Sequence, residues 1–189
     1  MDELLIIKKF FPIIIPFASL LFIVSLILMI STSSSGDATI LAGTLFRKPF
    51  NDDVNYSVTS YFGNRLDPFG SGEITNHYGI DLSAPEGTDI VAIGDGIVYQ
   101  VGNDSDGLGN YVYIKHDYGD IIFYSIYGHM LDDSIVVNEN QNIKSGEKIG
   151  CVGNTGSSTG NHLHLALTSP ILEFNDKYYV DPYYVIEGL

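Results

Sequence analysis

Gly160-Asn161-His162-Leu163-His164-Leu165-Ala166-Leu167 alternates polar and apolar side chains. A period of two reads as a half-buried β-strand. Alternate residues of a strand share a face, so His162 and His164 project together, away from Leu163 and Leu165. Two imidazoles about 6–7 Å apart along a strand allow one to bind a metal while the other faces the ion's open position.

Upstream, Asn76-His77-Tyr78-Gly79-Ile80-Asp81-Leu82-Ser83-Ala84-Pro85 supplies what an isolated H-x-H lacks. Gly79, Ser83 and Pro85 argue against a helix. A straight strand would hold His77 and Asp81 about 13 Å apart. A bend between them, for which Gly79 is suited, brings imidazole and carboxylate together, and His164 then adds a third ligand across a sheet. Two histidines and one carboxylate, with a position left for water, make a catalytic zinc (Zn2+) arrangement. No H-E-x-x-H helix is present, which excludes helical zincin chemistry. The glycines between 94 and 160 read as tight turns between short strands, since no strand-to-helix boundary follows them as a phosphate loop requires.

Four runs then carry a resemblance: Tyr61-Phe62-Gly63-Asn64-Arg65-Leu66-Asp67-Pro68, His77-Tyr78-Gly79-Ile80-Asp81, Tyr127-Gly128-His129-Met130, and Gly153-Asn154-Thr155-Gly156-Ser157-Ser158-Thr159-Gly160-Asn161-His162-Leu163-His164. In order and spacing the chain resembles lysostaphin/LytM-type zinc metallopeptidases over roughly Ser57 to Leu167. The resemblance implies a mainly β fold, a small antiparallel β-sheet domain with a zinc-floored groove, and hydrolysis of peptide bonds in peptidoglycan stem peptides or cross-bridges. It implies His77, Asp81 and His164 as zinc ligands. His129 and His162 would flank the reacting carbonyl as catalytic residues, their division of labour left open. Asn161, Met130 and Leu165 stand where the family more often has proline, leucine and phenylalanine. None of these is a ligand or a catalytic histidine, so the departures bear on substrate fit.

Tyr61 is expected in the groove as a substrate-binding residue, and so is His116, which ends the alternating run Tyr111-Val112-Tyr113-Ile114-Lys115-His116. Arg65 and Asp67 are read as organisers of the loop before His77. The segments 102–109 and 132–141 are the expected groove walls. Cys151 is read as a buried strand thiol; alone, it permits no internal disulfide.

The chain opens with acidic and basic residues over 1–9, then runs uncharged from Phe10 to Ile30, long enough to cross a bilayer as a helix. Lys8 and Lys9 precede this run and no basic residue follows until Arg47, which places the rest of the chain outside the membrane. The expected order is a cytoplasmic N-terminus (1–9), a transmembrane signal-anchor (10–30), an extracytoplasmic tether (31–55) and a metallopeptidase domain (56–189, motif-bearing core 57–167). A cleaved signal near Ala38 or Ala42 is the alternative. The net charge of −14 argues against nucleic acid and against docking on anionic lipid. Expected partners are peptidoglycan, the membrane through the N-terminal helix, and cell-envelope machinery. Two other readings stand beside the enzyme: a non-catalytic scaffold or activator, as occurs in the family, and a regulated enzyme whose Asn51, Asp52, Asp53 or Asn55 folds back to cap the zinc.

Overall fold

In the computed structural model, which describes residues 46–119, 122–169 and 178–189, the H-x-H stretch lies at the start of a strand in the middle of a large sheet. The strands are β1 (Ser57–Ser60), β2 (Gly63–Leu66), β3 (Ile74–His77), β4 (Ile80–Ser83), β5 (Asp89–Val91) and β6 (Gly96–Asp104). They continue with β7 (Gly109–Asp117), β8 (Ile122–Met130), β9 (Asn142–Ile143), β10 (Lys148–Cys151), β11 (Leu163–Ser169) and β12 (Tyr178–Val180). A 3₁₀ turn follows at Pro182–Tyr184. The main sheet runs β1-β4-β11-β8-β7-β6-β9, with β12 also paired to β11; β5 with β10 and β2 with β3 form two small sheets. Every strand pair is antiparallel, as expected from the sequence.

One face of the main sheet is dry. Ile80 and Leu82 of β4, Leu163, Leu165 and Leu167 of β11, Val112 and Ile114 of β7 and Tyr127 of β8 are fully buried. Each alternates with a residue of the opposite face, so the same pleat that buries Leu163 and Leu165 directs His164 to the other side. At about 25 cal/mol per Å² of apolar surface, this face is the main source of the domain's stability.

No helix of the described residues is long and apolar enough to cross a membrane, and the anchor expected over 10–30 lies outside them. The last ten residues of the expected tether are described, and they are not a tether. Phe46 and Phe50 are buried. Arg47 N–H donates to the Ile93 carbonyl, the Val91 amide donates to Pro49, and Phe46 bridges Ile186 in parallel. Two aromatic side chains among polar neighbours read as linker composition, yet each fills a core site, so the folded domain begins by Phe46.

Candidate metal centre and groove

The chain leaves β3 at His77, bends at Gly79 and enters β4 with Asp81 in its second position. The bend closes a gap that a straight strand would keep open: His77 Nε2 lies 3.1 Å from Asp81 Oδ1. β11 runs beside β4 with His164 opposite Asp81, and His164 Nδ1 lies 2.9 Å from the same Oδ1 and 3.1 Å from His77 Nε2. Three ligand atoms therefore form a near-equilateral triangle. A tetrahedral ion with bonds of 2.0–2.1 Å has ligand–ligand edges of about 3.3 Å, so the donor set and its spacing fit zinc.

Local hydrogen bonds fix which nitrogen is free. His77 Nδ1–H donates to the Tyr61 carbonyl at 2.9 Å, which leaves the Nε2 lone pair facing the triangle. Burial disfavours the charged Asp81, but the adjoining His164 and His77 rings outweigh it and hold the carboxyl far below its ordinary range. Burial also lowers the His164 pKa. The centre thus favours a carboxylate at Asp81 and a neutral ring at His164, protonation states that suit a metal.

His129 reaches the centre by breaking the pleat. Strict alternation along β8 would put it on the dry face with Tyr127. Instead β8 is irregular opposite Asn110 and Val112, and His129 takes φ +58°, the left-handed region that a non-glycine residue rarely occupies. The step sends Met130 into the core and turns His129 to the groove, its ring 5.9 Å from that of His164 and 4.7 Å from that of His162. His129 Nδ1–H donates to the Thr155 carbonyl and His162 Nδ1–H to the Gly160 carbonyl, each at 2.8 Å, so both rings keep Nε2 for chemistry. Burial, reinforced by the neighbouring His162, pushes the His129 imidazole down to about 4. Such backbone strain at a titratable residue is a mark of functional sites.

All five residues line one groove of about 440 Å³. Its walls are Pro68 and Phe69 from the β2–β3 turn, Asp104, Gly107 and Leu108, and Ser157 to Thr159. The expected wall at 102–109 is present, whereas no residue of 132–141 lines the groove. Two site expectations need correction. His116 is fully buried, with Nδ1 2.8 Å from the Asp95 carbonyl and Nε2 2.8 Å from Ser125 Oγ. It shares the dry face with Val112 and Ile114, so it is a core residue rather than a substrate contact. The Tyr61 ring is 62% exposed and packs edge-on to Tyr183 outside the groove lining; what serves the site is its backbone carbonyl on His77. Asn51 and Asp52 pair with Arg47 and Lys48, and none of residues 51–55 lines the groove. Cys151 is half-buried, with Sγ 3.6 Å from Asp89 Oδ1. Sequence reading missed Arg65 as a partner of Asp81: its Nη1 donates to Asp81 Oδ2 at 2.7 Å.

Comparison with known proteins agrees with this architecture. The catalytic domain of a point mutant of the prophage-encoded M23 protein EnpA from Enterococcus faecalis superposes with a TM-score of 0.57 at 34% identity, over 72% of this chain and 95% of that one. A zinc-containing peptidase from Vibrio cholerae gives 0.58 at 31% identity, over 74% and 39%. The murein hydrolase activator NlpD of Escherichia coli is 38% identical over 97 residues, which is 51% of this chain and 24% of NlpD. The aligned regions span from about a fifth to a little over a third of the length of the first curated relatives matched. The profile of Peptidase family M23 matches residues 75–182, more than half of the sequence. This chain belongs to peptidase family M23.

Proposed function

We propose that the chain is a zinc-dependent endopeptidase that hydrolyses peptide bonds of peptidoglycan on the outer side of the membrane. The observation that carries this reading is the convergence of a complete set: His77, Asp81 and His164 within 3.1 Å of one another, flanked by His129 and His162, whose Nδ1–H groups are held by backbone carbonyls and of which His162 has Nε2 3.6 Å from Asp81 Oδ1. An activator that has lost catalysis needs none of these five positions, and here all are filled. The uncharged run over residues 10–30, long enough to cross a bilayer as a helix, supports a membrane anchor. The likeness to NlpD supports an envelope setting and keeps murein hydrolase activation as the alternative role.

His77, Asp81 and His164 would hold the ion. Zinc bound there would acidify a water and polarise an amide carbonyl. The protein's own groups do the rest. The Tyr61 carbonyl keeps His77 in its binding tautomer. His129 and His162 stand with Nε2 open to take a proton from attacking water and to return one to the leaving amine, a contribution of about 10²–10⁴-fold. The walls at 68–69 and 157–159 bound a groove suited to an extended peptide.

The test is zinc content and amine release from purified peptidoglycan by the wild type, His164→Ala and His162→Ala. His164→Ala should lose metal and activity. His162→Ala should keep metal and lose activity by about 10²-fold or more. A folded, zinc-loaded wild type that cuts no wall from several species rejects the enzyme in favour of the activator.

A further inference from the structure

The two oxygens of Asp81 face different neighbours. Oδ1 meets His77 and His164, while Oδ2 accepts from Arg65 Nη1 at 2.7 Å. The same Nη1 lies 2.6 Å from Ser60 Oγ, and Ser60 Oγ lies 3.3 Å from His77 Nδ1. One guanidinium nitrogen thus backs the carboxylate directly and an imidazole through a single hydroxyl. Arg65 Nε is buried without a partner. An unpaired buried donor is unfavourable, so the guanidinium is seated for Asp81 and Ser60 at the expense of its own hydrogen bonding. Gly63, at φ +107°, opens β2 directly after the two-residue connection from β1, the strands that carry Arg65 and Ser60.

We infer that Arg65 is a positioning residue of the metal centre: by occupying Oδ2 it makes Asp81 a one-oxygen ligand, and through Ser60 it steadies His77. The inference rests on the ligand set proposed above. A carboxylate free to use both oxygens can fill two coordination positions on one ion. Held by Arg65 it fills one, so three residues leave a position open. Both contacts come from the one nitrogen Nη1; a lysine ammonium ends one bond short of it, on a flexible stem without the rigid guanidinium plane that fixes its position, so it reaches the two acceptors less well. Ser60 and Arg65 lie before residue 75, outside the span matched by the family profile.

The experiment uses the purified chain, stripped of metal, as wild type, Arg65→Lys, Arg65→Met and Asp81→Ala. Zinc affinity is read by competition with a chromophoric chelator, and coordination by the visible absorption of the cobalt(II)-loaded protein. Arg65→Met should weaken zinc binding about 10–100-fold and reduce the cobalt absorption as Asp81 swings to two-oxygen binding. Arg65→Lys should show both changes to a smaller degree. If the wild type binds no zinc, or Asp81→Ala binds like the wild type, the ligand set is wrong and the inference falls with it. If Asp81→Ala loses zinc while both Arg65 variants keep wild-type affinity and spectrum, the role of Arg65 alone is overturned. Should Arg65→Met not fold, Arg65→Lys decides by the same two readouts.

Discussion

At Gly79 the absence of a side chain matters more than backbone freedom. Its φ is not in the left-handed region, but a Cβ would stand 2.6 Å from the Leu165 carbonyl oxygen and 2.7 Å from His164 Cε1. Gly79→Ala must push the imidazole or its strand aside. The expected result is a loss of about 1–3 kcal/mol, the usual range for overpacking, together with weaker zinc binding. Thermal melts with and without zinc check it; an alanine variant with wild-type melting and affinity would show that the ring is not wedged. The residue also shows what a sequence can and cannot carry. A bend between His77 and Asp81 was legible because the chemistry demanded it and glycine permits it. The contact with His164 was not, because it comes from β11, far along the chain. His129 was placed only by family resemblance: neither period nor propensity announces a left-handed histidine that reverses the pleat. Arg65 was misread as a loop organiser because its partner, Asp81, lies on a different sheet.

Between β7 and β8 a buried polar chain runs from the Asp95 carbonyl through His116 and Ser125 to the Tyr127 hydroxyl, which accepts the Ile93 amide. Burial lowers the His116 pKa below its ordinary value. The unfolded chain therefore takes up a proton first as pH falls through about 6.5, and stability declines below that point. The melting temperature of the wild type should drop more steeply than that of His116→Gln between pH 7 and 5, so the two curves converge. Parallel curves would mean that His116 does not contribute. Its inward position was available in the alternation Val112, Ile114, His116, and a functional reading of the histidine obscured it. The segment 46–50 makes a second case at this scale. Phe50 is fully buried against Tyr56, and Phe46 packs on His116 and Phe123. Phe50→Ala should cost about 3–5 kcal/mol. Fragment 45–189 should melt cooperatively by circular dichroism while fragment 56–189 does not, and equal melting of the two would remove the segment from the fold.

Across the whole domain, fold and ion are thermodynamically coupled, because the proposed ligands come from β3, β4 and β11. An ion that binds only the folded chain adds about 4.1 kcal/mol when present at 1,000 times its dissociation constant. Chelation should therefore lower the melting temperature by several degrees, and zinc should restore it where magnesium does not. An unchanged melt would separate metal from fold. Two strands of the main sheet, around 111–116 and 160–167, were legible from their alternation, the sheet as a whole only through the family resemblance; the small sheets were not, since strands of three or four residues carry too little period. One last feature reaches beyond the groove. Phe46 and Ile186 are bridged, with the Phe46 amide on the Val185 carbonyl and the Glu187 amide on the Phe46 carbonyl. The backbone between them is thus close to a loop that shuts on itself. Joining residue 186 to residue 46 and opening the exposed turn at Glu139-Asn140 would rewrite the order of the gene while leaving the histidines where they meet.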